Sequence, residues 1–214
     1  MNIAILSSGN EFGENLLQKL NKHGIKPSLV LKENLKRSFI ERFRNRGRKY
    51  GIITAIIWLY GVMKSFFSQI IKSKGTKNHK KTYEFVKVQT INSDEAIQLL
   101  RNVNPDIIVN TVSSILSKSI LKIPKIGIYG VHPGWLPRYV GLSSIHWQVV
   151  DGLKPGFTIF QLTEKIDGGQ IFHRQKVDPV PGEKFDTYIK RFEEIFTNCF
   201  AQFISDIYHG VVPK

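Results

Sequence analysis

Residues 2–6 are an apolar run rich in β-branched side chains, and Ser7-Ser8-Gly9-Asn10 follows it at once. A helical alternation of apolar and polar positions then runs from Glu14 to Lys22 and stops near His23-Gly24. Pro27 to Leu31 and Phe85 to Gln89 read as two further strands, with a long, differently composed stretch between them. Asn92 with Glu95 three residues on has the form of a helix start, which predicts a helix to Arg101. Asp106–Val109 and Ile126–Val131 are buried-type strands, Gly156–Gln161 and Gln170–Val177 are two more, and Glu183–Tyr208 reads as a long terminal helix. Strand and helix alternating at this spacing predict an α/β fold with a mostly parallel sheet and crossover helices.

In such sheets ligands sit outside the carboxyl ends of the strands. The loops after Leu6, Val109 and Val131 are therefore where chemistry is expected. The first of them, around Ser8, Gly9 and Asn10, is neither a dinucleotide fingerprint nor a Walker A loop. Its backbone amides suit an anion at a helix start. It reads equally well as a tight strand-to-helix turn.

The chain has 214 residues, 42% hydrophobic and 11% aromatic, enough for one sizeable domain and too apolar for a disordered chain. A single cysteine, Cys199, excludes an intramolecular disulfide and a multi-thiolate zinc site within the chain. The apolar run at the start is too short for a signal core, which gives a cytoplasmic protein as the expectation. Charge changes the picture more. Of 31 Lys and Arg and 17 Asp and Glu, 14 basic and only 2 acidic residues lie between Lys32 and Lys81. The rest of the chain is close to neutral, so any polyanion or membrane contact belongs to that segment.

The candidate chemistry lies in Gly-Ile-Tyr-Gly-Val-His-Pro-Gly-Trp-Leu-Pro-Arg-Tyr-Val-Gly, residues 127–141. His132 ends a buried strand, placing a general acid/base or an oxyanion donor at the crevice. Thirty-five residues on, Asp167-Gly168-Gly169 makes a tight loop whose carboxylate can orient that histidine. Alone, each has an ordinary explanation, a hydrogen-bonded strand-end histidine and a common turn. Together, with Pro133, Gly134, Leu136, Pro137, Tyr139 and Gly141, they resemble the folate-dependent formyltransferase family. Ser144-Ile145-His146-Trp147 and Gly156-Phe157-Thr158-Ile159 extend the likeness, which covers roughly residues 106–177 and is absent from 33–82.

The resemblance implies a Rossmann-like sheet with flanking helices in a single catalytic domain, 1–214, carrying a basic amphipathic insertion at about 33–82. It implies formyl transfer from 10-formyltetrahydrofolate to a primary amine, with no metal. His132 would stabilise the oxyanion or shuttle its proton, and Asp167 would orient it. Ser114, Ile115 and Leu116 with Thr163, Glu164 and Ile166 would hold the pterin, and Ser8, Gly9, Asn10, Pro133 and Tyr139 the acceptor.

Two departures matter. The family asparagine two places before the histidine is Gly130 here, and losing such an oxyanion donor costs about 10²–10³ in rate. Asn110, at the end of the neighbouring strand, is the candidate substitute; a water or substrate group, or an inactive site, are the alternatives. Val140 also stands where the family often has arginine. The chain ends soon after the catalytic core, which makes tRNA an unexpected acceptor and an amino sugar or sugar nucleotide the expected one. In the insertion, Ile53, Ile56, Ile57, Tyr60, Met63, Phe67, Ile70 and Ile71 recur at helical spacing, and Lys64 interrupts any spanning run. Residues 36–81 thus read as an interfacial helix against anionic lipid at the inner membrane face, or as a contact for a second copy, ahead of nucleic acid.

Overall fold

The structure is a computed structural model that describes residues 1–34 and 83–211. The insertion falls outside the described residues, and with it the amphipathic helix expected over 52–71. Met1–Asn34 and the chain from Tyr83 onward form one unit.

Seven strands form one sheet: β1 (Ile3–Ser7), β2 (Leu29–Glu33), β3 (Val86–Val88), β4 (Ile107–Thr111), β5 (Gly127–His132), β6 (Gly156–Gln161) and β7 (Ile171–Lys176). Their order is β3-β2-β1-β4-β5-β6-β7. Pairs from β3 to β5 are parallel, while β6 and β7 add as an antiparallel extension. Among the described residues the helices are α1 (Glu11–Lys22), α2 (Asp94–Val103), α3 (Lys118–Leu121), α4 (Ser144–Val150) and α5 (Phe185–Tyr208).

The unbroken apolar runs of the central strands follow from burial on both faces. Ile3, Ile5, Ile107, Val109 and Tyr129 turn toward α1 and α5, where Phe192, Phe196, Phe200 and Phe203 form an aromatic ladder. Ala4, Leu6, Ile108 and Ile128 turn the other way, onto Ala96 and Leu100 of α2 and Ile120 of α3. Phe12 of α1 meets Phe196 of α5 with ring centroids 5.0 Å apart.

Local starts differ from the sequence expectation in two places. α1 begins at Glu11, because the Asn10 side chain accepts the Gly13 N–H and caps the helix. α2 is capped by Ser93, not Asn92: the Ser93 hydroxyl accepts from Ala96 N. Asn92 instead binds the loop beyond β4, donating to the Ile115 carbonyl and accepting from Ser117 N.

The chain direction of crossovers reverses between β1 and β4, whose ends pair Ser7 with Thr111. Ser7, Thr111 and His132, all at strand carboxyl ends, are buried polar residues. This is the switch-point crevice at which open α/β sheets bind ligands.

Candidate active site

His132 is the last residue of β5 and stands opposite Thr158 of β6. Pro133 has no N–H to continue the ladder, and Thr158 captures the departing loop. Its hydroxyl donates to the Gly134 carbonyl at 2.7 Å and accepts from Leu136 N at 3.1 Å. Gln148 of α4, 1% exposed, ties the same loop to β6, donating to the carbonyls of Pro133 and Gly156 and accepting from Gly156 N.

The His132 side chain is 10% exposed. Its Nε2 lies 2.7 Å from the Tyr139 carbonyl and 3.0 Å from the Ser144 hydroxyl. Its Nδ1 faces Asp167 Oδ2 at 3.7 Å. That carboxylate oxygen also accepts the Gly141 N–H at 2.9 Å, so the loop after the histidine holds the aspartate in place. Asp167 has φ of 50°, a left-handed conformation uncommon outside glycine, though aspartate adopts it more readily than most side chains. A Cβ at Gly169 would overlap the Gln161 carbonyl, so the turn closes onto β6 only with glycine there.

Asn110 sits opposite Gly130 on the neighbouring strand. Its amide nitrogen donates to the Val112 carbonyl at 3.1 Å, while its Oδ1 is buried without a hydrogen-bond partner. Gly130 does not leave a hole. A Cβ built there would stand 2.8 Å from Leu162 Cδ1, so a leucine fills the place a longer side chain would take.

The two loops expected to hold a pterin face one another through a Lys118–Glu164 ion pair of 2.7 Å. Ile115 and Ile166, on opposite loops, are exposed, and Leu116 is buried. The Ser114 hydroxyl is committed to Glu33, donating to Oε2 at 2.6 Å. Glu33, at the end of β2 and 5% exposed, accepts with its other oxygen from the Thr90 hydroxyl and Ile91 N. Sequence reasoning missed this buried carboxylate, which fixes three loops at one point.

At the first loop, Gly9 N–H binds the Ser7 hydroxyl and Gly9 has φ of +67°. The Lys32 side chain lies over Gly9 so closely that any Cβ there would overlap it. The ammonium, 5.3 Å from the Phe85 ring centroid, therefore stands beside the start of α1, where an anion is favoured by both charge and helix dipole. The Tyr139 hydroxyl is not free for a ligand. It donates to Asp151 Oδ2, and that bond raises its pKa. Among the described residues, no group of three or more His, Cys, Asp or Glu is placed to hold a metal ion, and no helix is long and apolar enough to cross a membrane.

Comparison with known proteins bears on this geometry. The sequence model described as formyl transferase matches residues 1–204. A methionyl-tRNA formyltransferase of Thermotoga neapolitana is 34% identical over 129 residues, covering 59% of this chain and 41% of that protein. The chain thus spans less than half the length of that relative. Phosphoribosylglycinamide formyltransferase from Streptococcus pneumoniae TIGR4 has the same fold, with a TM-score of 0.64 and 15% identity over 97% of this chain and 98% of that one. A sugar N-formyltransferase from a Shewanella species matches with a TM-score of 0.60 and 13% identity, over 96% of this chain and 69% of that one.

Proposed function

Because this chain belongs to the formyl transferase family, we propose that it transfers a formyl group from 10-formyltetrahydrofolate to a primary amine of a small molecule, an amino sugar or sugar nucleotide. The observation that carries the reading is the His132–Asp167 pair, held with Nδ1 and Oδ2 3.7 Å apart at the carboxyl end of β5. The acceptor nitrogen attacks the formyl carbon, and the carbonyl electron pair moves onto oxygen. The amine then loses a proton through Nδ1 and Asp167, the bond from carbon to the donor nitrogen breaks, that nitrogen takes a proton, and the carbonyl re-forms. Asn110 joins the site by turning its amide from the Val112 carbonyl toward the oxyanion; its partnerless Oδ1 lowers the cost of that turn.

The pterin is held by Ser114–Leu116 and Thr163–Ile166. Ser8, Gly9 and Asn10 with Lys32 suit a phosphate on the acceptor, which favours a nucleotide-linked sugar. Pro133 and Tyr139 act on the acceptor side through the backbone of their loop. The protein works in the cytoplasm, with residues 36–81 bringing it to the inner membrane face or to a second copy.

A second reading is favoured by Leu162, which occupies the side-chain space beside Gly130. In it the protein binds folate or a partner without transferring, and acts through residues 36–81. Calorimetric titration with 5-formyltetrahydrofolate tests the folate site, and micromolar binding is expected. An amine screen with wild type and His132→Ala then tests transfer. Turnover lost in His132→Ala supports the enzyme. No turnover with any amine, and function lost only on deleting 36–81, supports the second reading.

A further inference from the structure

The contacts of His132 assign a role to Ser144, which the sequence shows only as the first residue of a helix extending the family likeness. The Ser144 hydroxyl has one proton, and it donates that proton to the Gly141 carbonyl at 2.7 Å. Toward His132 Nε2, 3.0 Å away, Ser144 can then only accept. The Tyr139 carbonyl, 2.7 Å from the same nitrogen, can accept and nothing else. Both neighbours of Nε2 are acceptors, so Nε2 carries a proton whether the ring is neutral or charged. A flipped ring would set a carbon against both acceptors, which excludes that orientation.

We propose that Ser144 is a positioning residue: with the Tyr139 carbonyl it holds the His132 proton on Nε2 and so makes Nδ1, the nitrogen facing Asp167, the one that exchanges protons with substrate. Ser144 is 2% exposed and opens α4, and the ring it holds lies at the end of β5. The hydroxyl thereby transmits the placement of the helix to the imidazole. A hydroxyl donating to Gly141 O while accepting from Nε2–H forms a polarised chain, in which each bond strengthens the other. That chain runs back to the catalytic carboxylate, because the same Gly141 gives its N–H to Asp167.

Gly134 completes the clamp by what it lacks. A Cβ there would stand 2.5 Å from the Tyr139 carbonyl oxygen and 2.7 Å from His132 Nε2, inside van der Waals contact with both. Only glycine lets the carbonyl and the ring meet. Ser144 supplies one acceptor and Gly134 preserves the access of the other. The two residues lie ten positions apart in the chain.

The part of the proposal that names substrate protons rests on the transfer reading above, whereas the tautomer itself does not. The test is a long-range ¹H–¹⁵N correlation spectrum of the full chain, with His132 assigned by its absence in His132→Ala. At alkaline pH, where the ring is neutral, wild type is expected to show a protonated Nε2 and an unprotonated Nδ1. Ser144→Ala and Gly134→Ala are expected to show a mixture of tautomers, and Ser144→Thr, which keeps the hydroxyl, a return toward wild type. In formyl-transfer assays Ser144→Ala should lower kcat roughly 10- to 100-fold with KM for the donor unchanged, a part of the usual 10²–10⁴ worth of general acid–base catalysis. A wild-type ring protonated on Nδ1 overturns the proposal. So does Ser144→Ala with an unchanged tautomer and unchanged kcat. A tautomer shift in protein that turns over no amine supports the hold on His132 and sinks the transfer reading instead.

Discussion

Replacing Gly130 with asparagine would restore the amide donor that the family motif carries, and the packing around it predicts that the substitution fails by itself. The new Cβ would stand 2.8 Å from Leu162 Cδ1, against an optimum of about 3.5–4.0 Å for carbon pairs. Leu162 packs against the cluster on the α2 face of the sheet and follows directly on β6, so it must change rotamer or shift backbone. Such overpacking costs about 1–3 kcal/mol, a fall of roughly 2–12 °C in Tm for a domain of this size. Leu162→Ala alone opens space and costs about 1–2 kcal/mol, less than a fully buried leucine because Leu162 is half-buried. In the double variant the asparagine enters that space, and its amide can donate to the unpaired Oδ1 of Asn110 across the strand register. The two costs should then fail to add by about 1 kcal/mol or more. Thermal melts of the four proteins measure this. If formyl transfer is the activity, the double variant should gain in kcat, by up to about 10²-fold, where Gly130→Asn does not. A Gly130→Asn protein that melts like wild type, or additive costs in the double variant, would refute the packing argument.

Other outcomes follow from named contacts. Glu33→Gln keeps the size of a buried carboxylate but replaces one acceptor oxygen with an NH₂, which then faces a donor, the Ser114 hydroxyl if the amide oxygen stays with Thr90 and Ile91; a loss of about 1–2 kcal/mol is expected in urea unfolding, together with weaker binding of 5-formyltetrahydrofolate through the Ser114 loop. Lys32→Met should weaken phosphate-bearing acceptors more than neutral ones, read as KM; equal effects on both would remove Lys32 from the site. The Arg191 guanidinium, bonded to both oxygens of Glu183, holds that carboxyl below its usual range. A depressed folded pKa adds stability above the unfolded value, near 4.5, and that stability is lost as pH falls through the folded value. Arg191→Met should therefore be less stable than wild type at pH 7 and approach it near pH 3; calorimetry showing one constant difference across that range would contradict the linkage. Gly169→Ala should lower stability and disturb Asp167, seen as a joint fall in Tm and transfer rate.

The periodicity of the chain was enough for the sheet. Strands at residues 3–7, 107–111, 127–132 and 156–161 lie within two residues of their expected bounds, because burial on both faces leaves unbroken apolar runs. The terminal helix was equally plain from its spacing. His132 and Asp167 were legible as a pair through their flanking proline and glycines, which mark a strand end and a tight turn. Helix starts were read less well: Asn92 and Ser93 both suit a cap, and only the draw of Ile115 and Ser117 on Asn92 decides between them. What the sequence alone determined is therefore whatever depends on neighbours within a few positions, namely burial pattern, turns and the motif around the histidine. The tertiary structure decided what depends on residues far apart along the chain: Leu162 in the space beside Gly130, Lys32 across Gly9, Ser114 on Glu33, and Ser144 behind His132. Each is a contact between elements whose spacing in sequence has no period, and close packing between them, not local propensity, selects which side chain reaches which.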